Sequence, residues 1–237
     1  MSTNGNNSFM DRYLTPIALL LAAVIIAAAL IFGHGGGAKT DTNGTGGTAV
    51  DVTKIKTDGD PYIGQANAPA TMVLFYDYQC PFCKQFELGV TPKLVDAYVK
   101  TGKLKIVFKD FQFLGNDSID AAVFGRALWE SQPDKFYAWY VAMFNAQDDE
   151  GDQGFGDLAS VEKLAGTISG LDVSKVDALV KSKRSSYEAA INQDRAEGAS
   201  LGINGTPTIV VGNQLLTGMS PDQFYAAISA VVDGETK

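Results

Sequence analysis

Two cysteines, spaced as Cys80-Pro81-Phe82-Cys83, constrain this 237-residue chain more than any other feature. They stand where an apolar, β-favouring run, Met72-Val73-Leu74-Phe75-Tyr76, gives way to a segment from Lys84 to Lys100. Apolar residues recur in that segment near helical spacing, at Phe86, Val90, Leu94 and Ala97. Thiols three residues apart at a helix start face one another and can close a disulfide.

Elimination narrows the chemistry. The net charge is −8 and no basic cluster occurs, which excludes a nucleic-acid surface. The single histidine, His34, lies in a glycine-rich stretch far before Cys80, so a Cys-His nucleophile has no imidazole base in the C-terminal region. Two cysteines alone cannot fill a tetrahedral zinc site or hold an iron–sulfur cluster. Redox exchange between the two thiols is what they can do unaided, and no metal or cofactor is expected. A two-thiolate copper site drawing on Met72 or Met219 is the surviving rival.

Residues 1–13 read as a short polar tail on the cytoplasmic side. Residues 14–32, from Leu14 to Phe32, are apolar except at Thr15 and Pro16, long enough to span a bilayer's hydrocarbon core and longer than an ordinary signal-peptide core. We read an uncleaved membrane anchor, with a cleaved signal peptide as the alternative. Arg12 and Lys39 flank it, so charge barely sets its orientation. A dithiol acting as an oxidant belongs outside the reducing cytosol, which places the rest of the chain on the extracytoplasmic side. Residues 33–60, rich in Gly, Thr and Asp, read as a flexible tether.

A globular pattern begins at Pro61 and continues to residue 237. Thr71 to Asp77 predicts a buried strand, and the cysteine helix after it should bend at Thr91-Pro92 and stop at Gly102. Leu104 to Phe111 predicts a second strand, so the unit implies parallel strands joined by a crossover. Residues from about 116 to 200 predict a helical insertion: one helix after Asp117-Ser118, one opened by Pro133, then helices at 161–168, 173–180 and 185–201. The run Asp148-Asp149-Glu150-Gly151-Asp152 reads as a solvated acidic turn. Thr208 to Thr217 forms a hairpin around Gly212-Asn213, and Ser220-Pro221 starts a final helix. The fold class is therefore α/β, in the order βαβ, helices, then ββα.

Cys80 falls at the helix mouth, where Pro81 costs no hydrogen bond and the free N–H groups and dipole favour a thiolate. It is the expected nucleophile, exposed and a good leaving group, with Cys83 the buried resolving thiol. A cis Pro207 in Gly205-Thr206-Pro207-Thr208, facing the disulfide, would leave the Thr206 backbone free to pair with an extended substrate.

Three stretches together, from Tyr78 through Cys80-Pro81-Phe82-Cys83 to Phe86, Lys109-Asp110-Phe111, and Gly202 to Thr208, resemble the DsbA-like thioredoxin-fold family. The resemblance spans about residues 60–232. It implies a thioredoxin fold with a helical insertion, Cys80 as nucleophile, Cys83 as resolving cysteine and Thr206-Pro207 as the cis-proline loop; Pro81 and Phe82 join that loop in contacting substrate. Two positions depart from the family pattern. Leu74 stands where many relatives carry a buried glutamate that assists proton transfer, leaving Asp77 as the candidate proton relay or, equally, a surface residue. The central dipeptide Pro81-Phe82 carries no histidine to stabilise the thiolate.

The resulting expectation is a membrane-tethered thiol–disulfide oxidoreductase, acting as an oxidase on exported proteins and recycled by a redox partner. An isomerase or reductase using the same residues is the nearest alternative. A chaperone-like or copper-handling binding module is the alternative of a different class.

Overall fold

A computed structural model describes residues 49–148 and 155–236. The expected anchor from Leu14 to Phe32, the tail before it, most of the tether and most of the acidic run after Asp148 lie outside them. Among the described residues no helix is long and apolar enough to cross a membrane.

The elements follow the order β1 (Tyr62–Ile63), β2 (Ala70–Tyr76), α1 (Pro81–Gly89), α2 (Thr91–Leu94) and β3 (Leu104–Asp110). The insertion supplies α3 (Asn116–Ser131), α4 (Pro133–Ala146), α5 (Leu158–Ala165) and α6 (Val173–Ser200). Then come β4 (Thr208–Val211), β5 (Gln214–Thr217) and α7 (Pro221–Glu235). The five strands stand in the order β1-β3-β2-β4-β5. β2 and β3 are parallel, from Ala70↔Leu104 to Tyr76↔Asp110, as the strand–helix–strand pattern requires. β4 runs antiparallel to β2, which brings its first residue, Thr208, beside Phe75. Strand β2 therefore ends, and β4 begins, at the same edge of the sheet.

Both faces of β2 are covered, which explains its unbroken apolar run. Met72, Leu74 and Tyr76 pack with α1, α4 and α7, while Val73 and Phe75 pack with Val50, Val52, Ile55, Phe111 and Ile203. Each buried Leu or Phe here contributes about 1.5–3 kcal/mol. On the second face α6 approaches closely at Gly198, where a Cβ would lie 2.9 Å from the Phe111 ring.

Three expectations need correction. The tether does not extend to residue 60: Val50, Val52 and Ile55 are buried against the sheet, and Asp60 is buried in an ion-pair network. Its Gly/Thr-rich composition hid three apolar residues spaced to reach the sheet. The helices expected at 173–180 and 185–201 are one helix of 28 residues. The polar run Lys181-Ser182-Lys183-Arg184 holds no helix breaker, and Val176, Val180, Tyr187 and Ile191 make one continuous buried face. After α1 the chain bends near Pro92 as expected, but continues through α2 into a single π turn, Val95–Val99, before Gly102.

Candidate active site

Cys80 is the N-cap of α1 and Pro81 its first residue. Both cysteines are free thiols. Local sequence builds this corner: the Cys80 N–H donates to the Asp77 carbonyl at 3.1 Å, closing the turn that leaves β2. Phe82 projects into solvent, 64% exposed, while Cys83 on the next turn is buried.

The two thiols lie in opposite electrostatic settings. The Cys83 thiol donates a hydrogen bond that favours the Cys80 thiolate, and the backbone N–H groups of Cys83 and Phe82 add to it. Cys80 is itself buried, only 4% exposed, and is not the exposed thiol expected of a helix mouth, because the Thr206–Pro207 loop covers it; against that burial these contacts lower its pKa to about 6. Burial, then the hydrogen bond to Cys80, pushes the Cys83 pKa well above the ordinary thiol value. One thiol is held as an anion and its neighbour as an acid.

The Thr206–Pro207 bond is cis. Cys80 Sγ lies 3.3 Å from the Thr206 carbonyl oxygen, to which it donates when protonated, across a sequence separation of 126 residues. The antiparallel entry of β4 produces this meeting. Beside it lies an apolar groove of about 360 Å³, lined by Phe82, Phe86, Pro207, Met219, Pro221 and Phe224. Thus Cys80, Cys83, Phe82, Thr206 and Pro207 converge on one site, with Pro81 exposed at the first position of α1 between the two cysteines. Met219, the sequence candidate for a soft ligand, lines the groove, whereas Met72 is buried in β2.

Asp77 is not a surface residue; it is fully buried. Its Oδ1 accepts from the Gln79 N–H and the Ser118 hydroxyl, and its Oδ2 from the N–H groups of Phe113 and Leu114. One carboxylate thus joins the cysteine loop to the loop after β3. Burial raises its pKa even so.

Four further residues support the corner without a signal that marked them in the sequence. The Gln147 side-chain amide, just after α4, donates to the carbonyls of Tyr78 at 2.7 Å and Cys80 at 3.2 Å. Gln79 donates to the Phe155 carbonyl at 3.0 Å. Gly156 (φ 131°) permits this approach: a Cβ there would sit 2.0 Å from the Gln79 amide nitrogen. Glu87 is buried on α1, four residues after Cys83, with its Oε1 accepting from the Tyr140 hydroxyl at 2.7 Å. A glutamate on the helix face shared with Cys83 was the signal that could have found it.

Known proteins share the fold that carries this site. The family model described as Thioredoxin matches residues 56–230. Disulfide bond formation protein D of Bacillus subtilis is 27% identical over 186 residues, 76% of this chain and 78% of the relative. The crystal structure of oxidised BdbD from Bacillus subtilis superposes with a TM-score of 0.70 at 24% identity, covering 80% of this chain and 97% of that one. The thiol-disulfide exchange protein alpha-DsbA2 from Wolbachia pipientis gives a TM-score of 0.61 at 25% identity, over 72% of this chain and 86% of that one.

Proposed function

Because the chain belongs to the thioredoxin family, we propose that Cys80 and Cys83 form its redox centre and that it works as an oxidase, making disulfides in exported proteins. The chain is a DsbA-like thiol–disulfide oxidoreductase. The observation that carries the oxidase reading is the paired setting of the two thiols, with Cys80 near pKa 6 above a buried Cys83. Stabilising the Cys80 thiolate favours the reduced enzyme, which makes the disulfide a stronger oxidant.

A substrate thiolate attacks the Cys80 sulfur of the disulfide and expels Cys83, giving a mixed disulfide. A second substrate thiol then displaces Cys80, leaving the substrate oxidised and the enzyme as a dithiol. The Thr206 backbone pairs with the extended substrate beside Pro207, and Pro81 and Phe82 meet its side chains. A separate redox partner returns Cys80-Cys83 to the disulfide. The apolar run from Leu14 to Phe32 supports a single membrane anchor with the catalytic domain outside the cytoplasm.

Equilibration of the chain with glutathione buffers, followed by alkylation of Cys80, tests the direction of electron flow. A potential near about −120 mV is the expected result, and one near about −270 mV would make it a reductase. A Cys80→Ser variant should lose all oxidation of a reduced peptide. Full retention of biological activity by that variant would sink the enzyme reading and favour a binding module.

A further inference from the structure

Whenever a substrate thiolate attacks Cys80, Cys83 leaves as a thiolate, in a place where only 1% of the residue is exposed. A buried anion without a partner is costly, so a proton must reach it. The Asp77 carboxylate already accepts four hydrogen bonds that hold two loops together. Glu87 is employed differently. It lies four residues beyond Cys83 on α1, so the two Cβ atoms stand on one helix face about 5–6 Å apart. It too is 1% exposed. Oε1 accepts from Tyr140, but the buried Oε2 has no hydrogen-bond partner, and neither has the buried hydroxyl of Thr91 one turn further on. A carboxyl group with one oxygen anchored and the other unengaged, beside a thiol that must gain and lose a proton, is placed to hold that proton.

We propose that Glu87 is the proton-holding residue of this active site, giving its carboxyl proton to the Cys83 thiolate released from the disulfide. In this step the substrate sulfur bonds to Cys80 Sγ and the Cys80–Cys83 bond breaks. Its electron pair stays on Cys83 Sγ, which then takes the proton from Glu87 and leaves a carboxylate. Glu87 regains a proton from solvent, balancing the one that the second substrate thiol releases. Burial raises the Glu87 pKa to about 7, against the hydrogen bond from Tyr140 that favours its charge, so both forms are populated near neutrality. The titratable groups around it are Tyr140 and Tyr137 on α4 and Tyr78 after β2, whose own pKa values are raised, and Cys83 on its own helix. Glu87 is the member of this cluster that titrates near pH 7.

This inference rests on disulfide exchange through Cys80, and the test separates the two. Single-turnover reduction of the oxidised full chain by a dithiol peptide is followed across pH, for wild type and for Glu87→Gln, which keeps the acceptor for Tyr140. The wild-type profile should inflect near pH 7; Glu87→Gln should lose that inflection and slow at neutral pH by on the order of 10²-fold. Infrared difference spectra between oxidised and reduced wild type should show a buried carboxyl band that changes with redox state and vanishes in Glu87→Gln. Tyr140→Phe removes the hydrogen bond to the charged form, and should move the inflection above 7. A variant profile matching wild type, a redox-silent carboxyl band, or an unmoved inflection in Tyr140→Phe would each overturn the assignment. A wild-type chain that oxidises no peptide would instead overturn the exchange reading.

Discussion

At the level of single residues, reactivity is decided by which thiol receives hydrogen bonds and which is buried. Cys80 collects them from the Cys83 thiol and from the backbone of Cys83 and Phe82, so its pKa falls to about 6 although it is buried. Iodoacetamide modification of the reduced chain should therefore rise through pH 6, against about 8.5 for an unperturbed thiol. Cys83→Ala removes the largest of the favourable contacts and should move that midpoint upward; an unchanged midpoint would refute the thiol–thiol hydrogen bond as its main cause. The linkage has a sign. A depressed pKa stabilises the folded, reduced chain fully above about 8.5, and the contribution disappears as pH falls through about 6. Cys80 itself was legible in the sequence because Cys-x-x-Cys at a helix start is a local pattern. Glu87 was not, because its burial depends on α4, 53 residues further along the chain.

Among the elements, the helical insertion acts on the site directly. The end of α4 delivers Gln147 to the Tyr78 and Cys80 carbonyls, and Lys84 in turn donates to the Gln147 carbonyl at 2.6 Å. The insertion thus fixes the turn whose last residue is Cys80. Gln147→Ala takes the donor from the buried Tyr78 carbonyl and leaves the Cys80 carbonyl with the Lys84 N–H alone, and should cost about 1–3 kcal/mol in a denaturant titration, while slowing peptide oxidation. Wild-type stability and rate would show that the turn holds itself. The sequence located α4 from Pro133, a local signal, but its expected caps for α3, Asp117 and Ser118, lie inside that helix: the N-cap is Gly115, with no side-chain cap hydrogen bond, and the Ser118 hydroxyl donates to Asp77. It divided α6 in two because a polar stretch reads as a loop when the buried face on either side is not yet known to be shared.

For the molecule as a whole, one buried ion network ties the parts together. Lys109 on β3 meets Asp194 at 2.6 Å, Glu197 at 2.9 Å and Asp60 at 3.0 Å. Arg126 on α3 pairs with Asp110 at 2.6 Å and also with Asp60 and Asp194. Burial opposes the charge on Lys109, but the neighbouring carboxylates hold it protonated, with its pKa raised. The network joins the segment before β1, the strand, α3 and α6. Arg126→Met strands the Asp110 carboxylate and should cost about 3–5 kcal/mol, read as a lower denaturation midpoint. Lys100→Met, which breaks the exposed pair with Asp96, should cost only about 0.3–0.5 kcal/mol. Equal losses in the two variants would show that burial does not set the strength of the network.

What the chain's sequence determined alone is what local chemistry can specify. It set the two strands around a cysteine-bearing helix, the hairpin turned at Gly212, the Pro-started helices, and a redox dithiol as the chemistry open to two cysteines. These follow from side-chain periodicity and backbone preference over a few residues. Tertiary structure decided which polar residues lost their water. Asp77 became an internal tie between two loops, Asp60 a network member rather than part of a tether, and Glu87 a buried acid one turn below Cys83. Burial of a polar group depends on every element packed over it, so no stretch of neighbouring residues contains that information. The dithiol and the hydrogen bonds that favour the Cys80 thiolate were written locally, but the burial that makes Cys83 the acid was made by the fold.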